Sequence, residues 1–333
     1  MTKKINKIAI IGAGLSGTNC AYHLAKIADV TIFEKSRGFG GRMSTKLIEG
    51  TQFDHGLQFF TAKTKAFQHF MDQLENKSIV KSWNANFVEI HNKKIIQSRK
   101  WNNQFKHFIG IPKMSSICRY LACGIDVKLN ATVTRINKDN GRWKIYDEHS
   151  YLGVFDWIIF AIPVHQIFEI LPQGHNLYPE VLYRYNMLPC FALMASFRNR
   201  VNTQWEAALV KNSILSWISI NSSKCYRESK YSIVALSTNM WAQENIDKAA
   251  AFIQEKLFIE LQNIIQHGLD IIDISIHKWR YANARKQYGP RYIMDSGSSL
   301  AICGDWFIKG VAEGAFLSSM GLADELSAHL SCC

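Results

Sequence analysis

Apolar positions along this chain fall into two rhythms. Residues 8–11, 30–33, 155–162 and 299–303 are short, largely apolar runs, of the kind that fill strands buried on both faces of a parallel sheet. Between the first two runs, residues 18–27 have helical spacing, with Cys20, Leu24 and Ile27 on one face. Residues 64–74 predict an amphipathic helix with Phe67, Phe70, Met71 and Leu74 turned inward. Residues 79–97 hold short strand-like stretches at 87–90 and 95–96. A further helix is expected from 111 to about 123, where Gly124 stops it, then a strand over 127–136. Residues 142–146 and 151–155 read as a hairpin pair.

From His165 to about Asp273 the rhythm changes. Aromatic residues recur between polar ones: Tyr183, Tyr185, Phe191, Phe197, Trp205, Trp217, Tyr226 and Trp241. Strand-like segments dominate there, with one long helix from about 246 to 266, so we expect a mixed antiparallel sheet with helical cover. The first rhythm returns at 299–303, followed by a helix opening at 310–315 and running to about 330. The two ends are therefore expected to share one sheet, with the middle inserted between them.

Composition changes this picture little. The chain has 333 residues, 47% hydrophobic and 20% charged, enough for one large or two modest domains with real cores. No apolar stretch reaches the length of a bilayer crossing, and residues 1–7 are basic but carry no signal-peptide core, so a cytoplasmic location is the default. The eight cysteines are scattered without a C-x-x-C pair, and Cys332-Cys333 is a terminal doublet, so reduced thiols are expected and no metal site. The net charge of +12 is dispersed, with a modest cluster over 93–106 and no nucleic-acid motif; it reads as solvated surface with some attraction for phosphate-bearing ligands.

The chemistry concentrates at the first turn. Gly12-Ala13-Gly14-Leu15-Ser16-Gly17 joins a predicted strand to a predicted helix. Gly12 allows a tight turn, Gly14 lets a pyrophosphate approach the backbone, and Gly17 lets helix and strand pack closely. The helix start adds free N–H groups and a positive dipole end. Glu34 ends the second strand, where an acid accepts hydrogen bonds from the hydroxyls of an adenosine ribose and would repel the 2′-phosphate of NADP. A loop follows, with Lys35 and Ser36, then Gly40-Gly41-Arg42-Met43, in which Arg42 is a candidate for returning to the phosphates with its bidentate fork.

The set Gly12-x-Gly14-x-x-Gly17, Glu34-Lys35, Gly40-Gly41-Arg42-Met43, Asp54-His55-Gly56-Leu57-Gln58-Phe59-Phe60-Thr61 and Cys303-Gly304-Asp305-Trp306 resembles bacterial renalase-like FAD-dependent oxidoreductases of the amine-oxidase-type flavoprotein superfamily. The resemblance spans nearly the whole chain, including residues 215–218 and 278–282. It implies an α/β and α+β fold: a Rossmann-type, glutathione-reductase-like FAD-binding domain over 1–75, 111–164 and 291–333, with an inserted mixed-sheet substrate domain over 76–110 and 165–290. It also implies roles. Gly12 to Gly17 would hold the pyrophosphate, and Glu34 the adenosine ribose with Lys35 nearby. Arg42 would sit near the phosphates, and the backbone of Val133, as a strand residue, would meet the adenine. Gly56, Leu57, Gln58 and Phe59 would lie along the flavin. Gly304-Asp305 would meet the ribityl or phosphate region. Val311 to Gly314, Glu313 included, would present a helix N-terminus to the pyrimidine edge. Related sequences carry Lys-Pro-Gly-Arg where this chain has Lys224-Cys225-Tyr226-Arg227, and Ser-Gly where it has Ser319-Met320-Gly321.

The function implied is oxidation of a small molecule, a dihydronicotinamide of isomeric NAD(P)H type, by hydride transfer to flavin N5, with O2 reoxidation to H2O2. Such a donor needs no dedicated base, and no catalytic residue is nominated. Trp217, Trp241 and Trp279 are the candidates for shaping the substrate pocket; plain packing is an equal reading for each. His55 reads as a hydrogen-bonded turn histidine. An amine oxidase on the same scaffold, and a non-catalytic dinucleotide-binding regulatory protein, are the competing readings. Neither nucleic acid nor integral membrane association is expected.

Overall fold

The computed structural model describes residues 5–172, 184–266 and 268–332; Met1 to Lys4, Tyr183 and Cys333 of the sequence reading lie outside them. The chain divides into two compact units, one of Met1–Gly41, Ile117–Met187 and Ala284–Cys333, the other of Arg42–Ser116 and Leu188–Asn283.

The first unit is built on a six-stranded sheet in the order Tyr292–Asp295, Leu300–Cys303, Trp157–Phe160, Lys7–Ile11, Asp29–Glu34, Asp126–Leu129. All neighbours run parallel except the first pair, a return strand. The register aligns Ile10 with Ile159 and Ile159 with Ala301, none of which has solvent exposure. Chain ends 290 residues apart thus complete one sheet, as the two-rhythm pattern predicts. Helices Leu15–Leu24 and Ala312–Cys332 pack together through small polar residues: Asn19 donates to Ser319 Oγ at 3.0 Å and Ser16 to the Ala315 carbonyl at 3.3 Å. A three-stranded antiparallel sheet, Arg135–Asp139, Arg142–Tyr146 and Tyr151–Phe155, completes the unit. Its first hairpin turns on Asn140-Gly141, both at positive φ, the pairing that a two-residue turn between twisted strands requires.

The second unit carries a seven-stranded sheet in the order Ile271–Ala284, Met187–Phe197, Tyr231–Ser237, Leu215–Ile220, Ala207–Lys211, Asn86–His91, Lys94–Lys100. From Met187–Phe197 onward the pairs are antiparallel, save the parallel join of Ala207–Lys211 to Asn86–His91. Helix Ala250–Ile265 lays Ile253, Leu257 and Leu261 into the core beside Phe191, Leu193, Ile218 and Ile233.

Several expected boundaries move. The first helix begins at Leu15 rather than 18, directly on the glycine loop. The helix expected over 111–123 is only Ser116–Leu121, because Phe108–Gly110 is a strand paired to Val80–Ser82 and Ile111 N–H is bound by the Ile79 carbonyl. The strand expected over 127–136 breaks: Asn130 takes a positive φ, and Asn130 and Ala131 donate to the carbonyls of Ser36 and Glu34. Val133 therefore lies between strands rather than within one. The helix expected over 246–266 is Ala250–Ile265, and a separate helix not expected from the sequence, Asn239–Asn245, capped by the Thr238 hydroxyl, precedes it. Residues 42–75 pack within the second unit, where Phe53 meets Met194 and Val234. Among the described residues, no helix is long and apolar enough to cross a membrane.

Helix Ala250–Ile265 ends on Gln266 at φ 58°, a left-handed cap that favours glycine. Gln266→Gly is expected to raise stability by about 0.5–1 kcal/mol, as strain relief exceeds the added chain entropy. A urea titration checks it; a lower midpoint refutes the strain argument.

Candidate functional site: a dinucleotide cradle and a buried charge cluster

In the first unit, the glycines are set by backbone touching backbone. Gly12 sits at φ 109° with its N–H on the Phe33 carbonyl at 2.8 Å, and a Cβ there would stand 2.7 Å from the Ala161 carbonyl oxygen. A Cβ on Gly17 would stand 1.9 Å from the Gly12 carbonyl oxygen. The close packing expected of this loop is thus present. Gly14 caps helix Leu15–Leu24 with no side-chain hydrogen bond and no acid in the first turn, leaving its N–H groups to a ligand anion. Gly40 N–H donates to the Ala13 carbonyl at 2.9 Å, which lays Gly40-Gly41 beside Gly14.

Glu34 is 7% exposed and ties this region together. One carboxylate oxygen accepts from Ala13 N–H and the other from Ser36 N–H, each at 2.8 Å. Each oxygen keeps a second lone pair for a ribose hydroxyl. Lys35 is exposed, and Val133 is buried just past the turn at Asn130. At the other end of the chain, Gly304 donates to Ser318 Oγ at 2.9 Å, and a Cβ there would strike the Trp306 ring at 2.5 Å. Asp305, 6% exposed, opens a short 3-10 turn whose carbonyl takes Ile308 and Lys309 N–H. Val311 precedes helix Ala312–Cys332, and Glu313 is buried in its first turn.

In the second unit, Arg42 donates to the Ala282 carbonyl at 3.3 Å, and its own carbonyl accepts Leu57 N–H at 2.8 Å. A Cβ on Gly56 would lie 2.0 Å from that carbonyl oxygen, so glycine is required there. Met43 is buried. Behind Gly56 to Phe59 lies a charge cluster. Asp54, Lys224 and Arg227 are 0%, 0% and 1% exposed. Lys224 Nζ lies 3.2 Å from one Asp54 oxygen, and an Arg227 terminal nitrogen donates to both oxygens at 3.2 Å. Thr45 adds a 2.7 Å hydrogen bond. Burial pushes the Asp54 carboxyl up, but the Lys224 and Arg227 charges outweigh it and hold it below its ordinary value. Burial pulls Lys224 down to about 8, against the attraction of Asp54. The Gln58 amide sits on this cluster. Its nitrogen donates to the Asp54 and Gly56 carbonyls, and its oxygen accepts from Ser219 at 2.7 Å and Lys224 at 3.3 Å.

The two charged ends of the family's turn are retained and fully buried, while the substituted Cys225-Tyr226 faces outward, with Tyr226 59% exposed. Tyr226 holds φ 65°, which explains a glycine at that place in related sequences.

The three tryptophans part company. Trp279 donates its indole N–H to the His55 carbonyl at 2.8 Å and stacks on the His55 ring, with His277 beside both. Burial lowers His55 to about 3 and His277 to about 4, aided by the Lys46 charge on each, so both are neutral. Trp217 joins Phe59, Phe87, Trp101 and His107; Trp101 and His107 stack with centroids 3.7 Å apart. Trp241 instead packs on Phe191 against the core, because its helix is capped onto that side. Trp101, His107, His277, Lys224 and Arg227 were not legible as site residues. Trp101 lies within the lysine-bearing stretch over 93–106 and His107 just after it, and Lys224 and Arg227 are of types that sequence reading places in solvent.

A family model described as NAD(P)-binding Rossmann-like domain matches residues 10–74, and one described as flavin containing amine oxidoreductase matches residues 80–326. The chain belongs to the flavin containing amine oxidoreductase family. Mouse (Mus musculus) renalase is 22% identical over 98% of this chain and the whole of its own length. A putative protoporphyrinogen oxidase from Exiguobacterium has the same fold, with TM-score 0.78 at 10% identity over 99% of this chain and all of its own. Putrescine oxidase bound to putrescine gives TM-score 0.69 at 12% identity over 98% of this chain and 99% of its own. As in this family, the protein is an FAD-dependent oxidoreductase, which sets aside the regulatory reading. The residues present fit FAD: the glycine cradle has no room for a Cβ at Gly12 or Gly17, the helix start is uncapped, and Glu34 has acceptor capacity to spare.

Gly17→Ala is expected to weaken FAD binding by at least ~10-fold, which corresponds to about 1.4 kcal/mol. The flavin-to-protein absorbance ratio after desalting reads it, and full retention of colour refutes the cradle. Asp54→Asn leaves two buried cations without their anion and is expected to cost about 3–5 kcal/mol in a denaturant titration. Asp54 is depressed when folded, so its contribution is present above its ordinary value and lost as pH falls through the folded one. The cost of the substitution should therefore shrink in strong acid.

Proposed function

We propose that this enzyme oxidises a dihydronicotinamide dinucleotide, an isomer of NAD(P)H reduced at the wrong ring position, with O2 as the terminal acceptor and H2O2 as product. The observation that carries the reading is the burial of His55 and His277 against Trp279, which lowers both imidazoles below their ordinary value. Imidazoles lowered by burial are poorly matched to taking a proton from a substrate at neutral pH. A dihydronicotinamide gives up hydride with no prior proton loss, so it asks for no base from His55 or His277. The likeness to renalase along the whole chain supports the same reading.

When bound, FAD supplies the two-electron acceptor and the route of those electrons to O2. The chain's own residues bind and orient. In the first unit, Gly12 to Gly17 and the helix start hold the pyrophosphate, with Gly40-Gly41 alongside; Glu34, flanked by Lys35 and Ser36, takes the adenosine ribose. The Val133 backbone meets the adenine. Gly304-Asp305 meets the ribityl or phosphate region. The helix start from Val311 through Glu313 would offer its positive end to the pyrimidine edge, where an anion gains about 0.3–1 kcal/mol. In the second unit, Arg42 and Met43 lead from the glycine pair. Within that unit, Gly56, Leu57, Gln58 and Phe59 are the residues that would serve a flavin, and Trp217 and Trp279 would serve as walls for a substrate.

Oxidation of an amine is the second reading. The near-parallel rings of Phe87, Trp101 and Trp217, with Phe59 tilted across them, favour it as walls for a neutral amine. Anaerobic mixing separates the two. Dihydronicotinamide isomers are expected to bleach the flavin while simple amines leave it oxidised. Rapid bleaching by an amine with none by the isomers would overturn the proposal.

A further inference from the structure

We propose that the tip of the hairpin over 86–100, with Ile95 and Ile96 beside Lys93 and Lys94, is a docking site for an anionic lipid surface. The inference rests on the second unit alone and stands apart from the substrate reading.

Strand Lys94–Lys100 closes one side of the seven-stranded sheet, and all seven of its residues are exposed. Residues 93–106 carry five cations, Lys93, Lys94, Arg99, Lys100 and Lys106, and no acid. Lys106 is held by Glu75, and Arg99 lies over the Phe87 ring at 5.0 Å. Among the described residues no acid pairs with Lys93, Lys94 or Lys100, and the acid of the neighbouring strand, Glu89, is engaged by Lys211. Lysines on a sheet edge have a plain explanation, since they keep other strands away. A bulge does the same: Glu89 faces Gln97 but Ile90 faces Ile95, so Ile96 is an extra residue. Neither device accounts for Ile95 and Ile96 themselves, adjacent and 54% and 57% exposed. An edge made only to repel neighbours would carry polar side chains there. The bulge sets both isoleucines against Ile90, so they stand together near the turn instead of alternating across the sheet. The turn is Asn92-Lys93, at φ 48° and 64°. Glycine suits the second place of such a turn, yet this chain puts a lysine at the outermost point.

An apolar pair ringed by ammonium groups matches a lipid interface, where the isoleucines reach the acyl boundary and the lysines meet head-group phosphates. The net charge of +12 adds attraction at longer range. A second copy fits less well. Laid antiparallel along its own twin over the full strand, Lys94 would face Lys100. An acidic extended peptide would have to pair with a bulged edge, where the ladder is broken.

The test sediments the FAD-loaded full chain with vesicles of phosphatidylcholine alone or mixed with phosphatidylglycerol, at low and at high salt. Binding is expected to be at least ~10-fold tighter to the anionic vesicles and to weaken as salt rises. Replacing Lys93, Lys94 and Lys100 by Gln should weaken it by at least ~10-fold, since each lysine near the surface contributes about fivefold. Ile95→Ser with Ile96→Ser should weaken it by ~10-fold while leaving the salt dependence in place. A control that removes the same charge elsewhere, with Gln for the exposed Lys65, Lys248 and Lys256, should bind nearly as the wild type does. Every variant is expected to keep its flavin colour and its reaction in the mixing experiment, so loss of vesicle binding is read apart from folding and from the substrate reading. Equal binding to neutral vesicles, or none to either, overturns the proposal. So does a control that loses as much as the tip variant, which would make the attraction a property of net charge alone. A lipid-free dimer that the isoleucine variant abolishes would assign the surface to a second copy and overturn it. Binding of poly-glutamate without binding of vesicles would assign it to an acidic protein partner and overturn it as well.

Discussion

Strand Trp157–Phe160 is held on one side by Lys7–Ile11 and on the other by Leu300–Cys303, and these backbone hydrogen bonds are what the first unit depends on. They bring three distant stretches of sequence to one sheet. The glycine turn follows directly from the first of them, and the Gly304-Asp305 turn from the last. Without that pairing, Ile10, Ile159 and Ala301 lose their burial together. The nearness of the two helices that follow, joined through Asn19 and Ser319, is a consequence of the same register.

The second unit solves a different problem. Burying Asp54, Lys224 and Arg227 is costly, and the cost is offset by hydrogen bonds in which Thr45, Gln58, the Gly110 carbonyl and the Cys225 carbonyl take part, although Arg227 Nε has no partner. An apolar packing of the same volume would serve stability at least as well. The charged arrangement instead imposes direction, because each hydrogen bond has a donor end and an acceptor end. It specifies which way a turn of irregular backbone must face, something packing alone does poorly.

Much of the first unit was legible because buried parallel strands and glycine turns leave strong local marks. Residues 8–11, the turn at Gly12 to Gly17, Glu34 and the strand ending at Cys303 all lie where pattern places them. Boundaries failed where a tertiary contact decided them. Asn130 and Ala131 leave their strand because the carbonyls of Ser36 and Glu34 claim their N–H groups. The aromatic middle was legible as a mixed sheet with helical cover, but not in its detail. Trp217, Trp241 and Trp279 look alike in sequence, and only the strand or helix that carries each decides whether it meets His55, Phe59 or the core. Lys224 and Arg227 were invisible as buried groups, since their anion lies 170 and 173 positions away.

Discontinuity also has a meaning in time. The central strand, Trp157–Phe160, is apolar on both faces, yet its partner Leu300–Cys303 is made about 140 residues later. At ribosomal speeds of about 5–20 residues per second, that is a delay of roughly 7–30 s. During it, one edge of a greasy, hydrogen-bond-hungry strand has nothing to pair with, the condition under which chains associate wrongly. The last-made strand is thus the one that closes this edge, and the interval before it is when newborn copies are most open to pairing with one another.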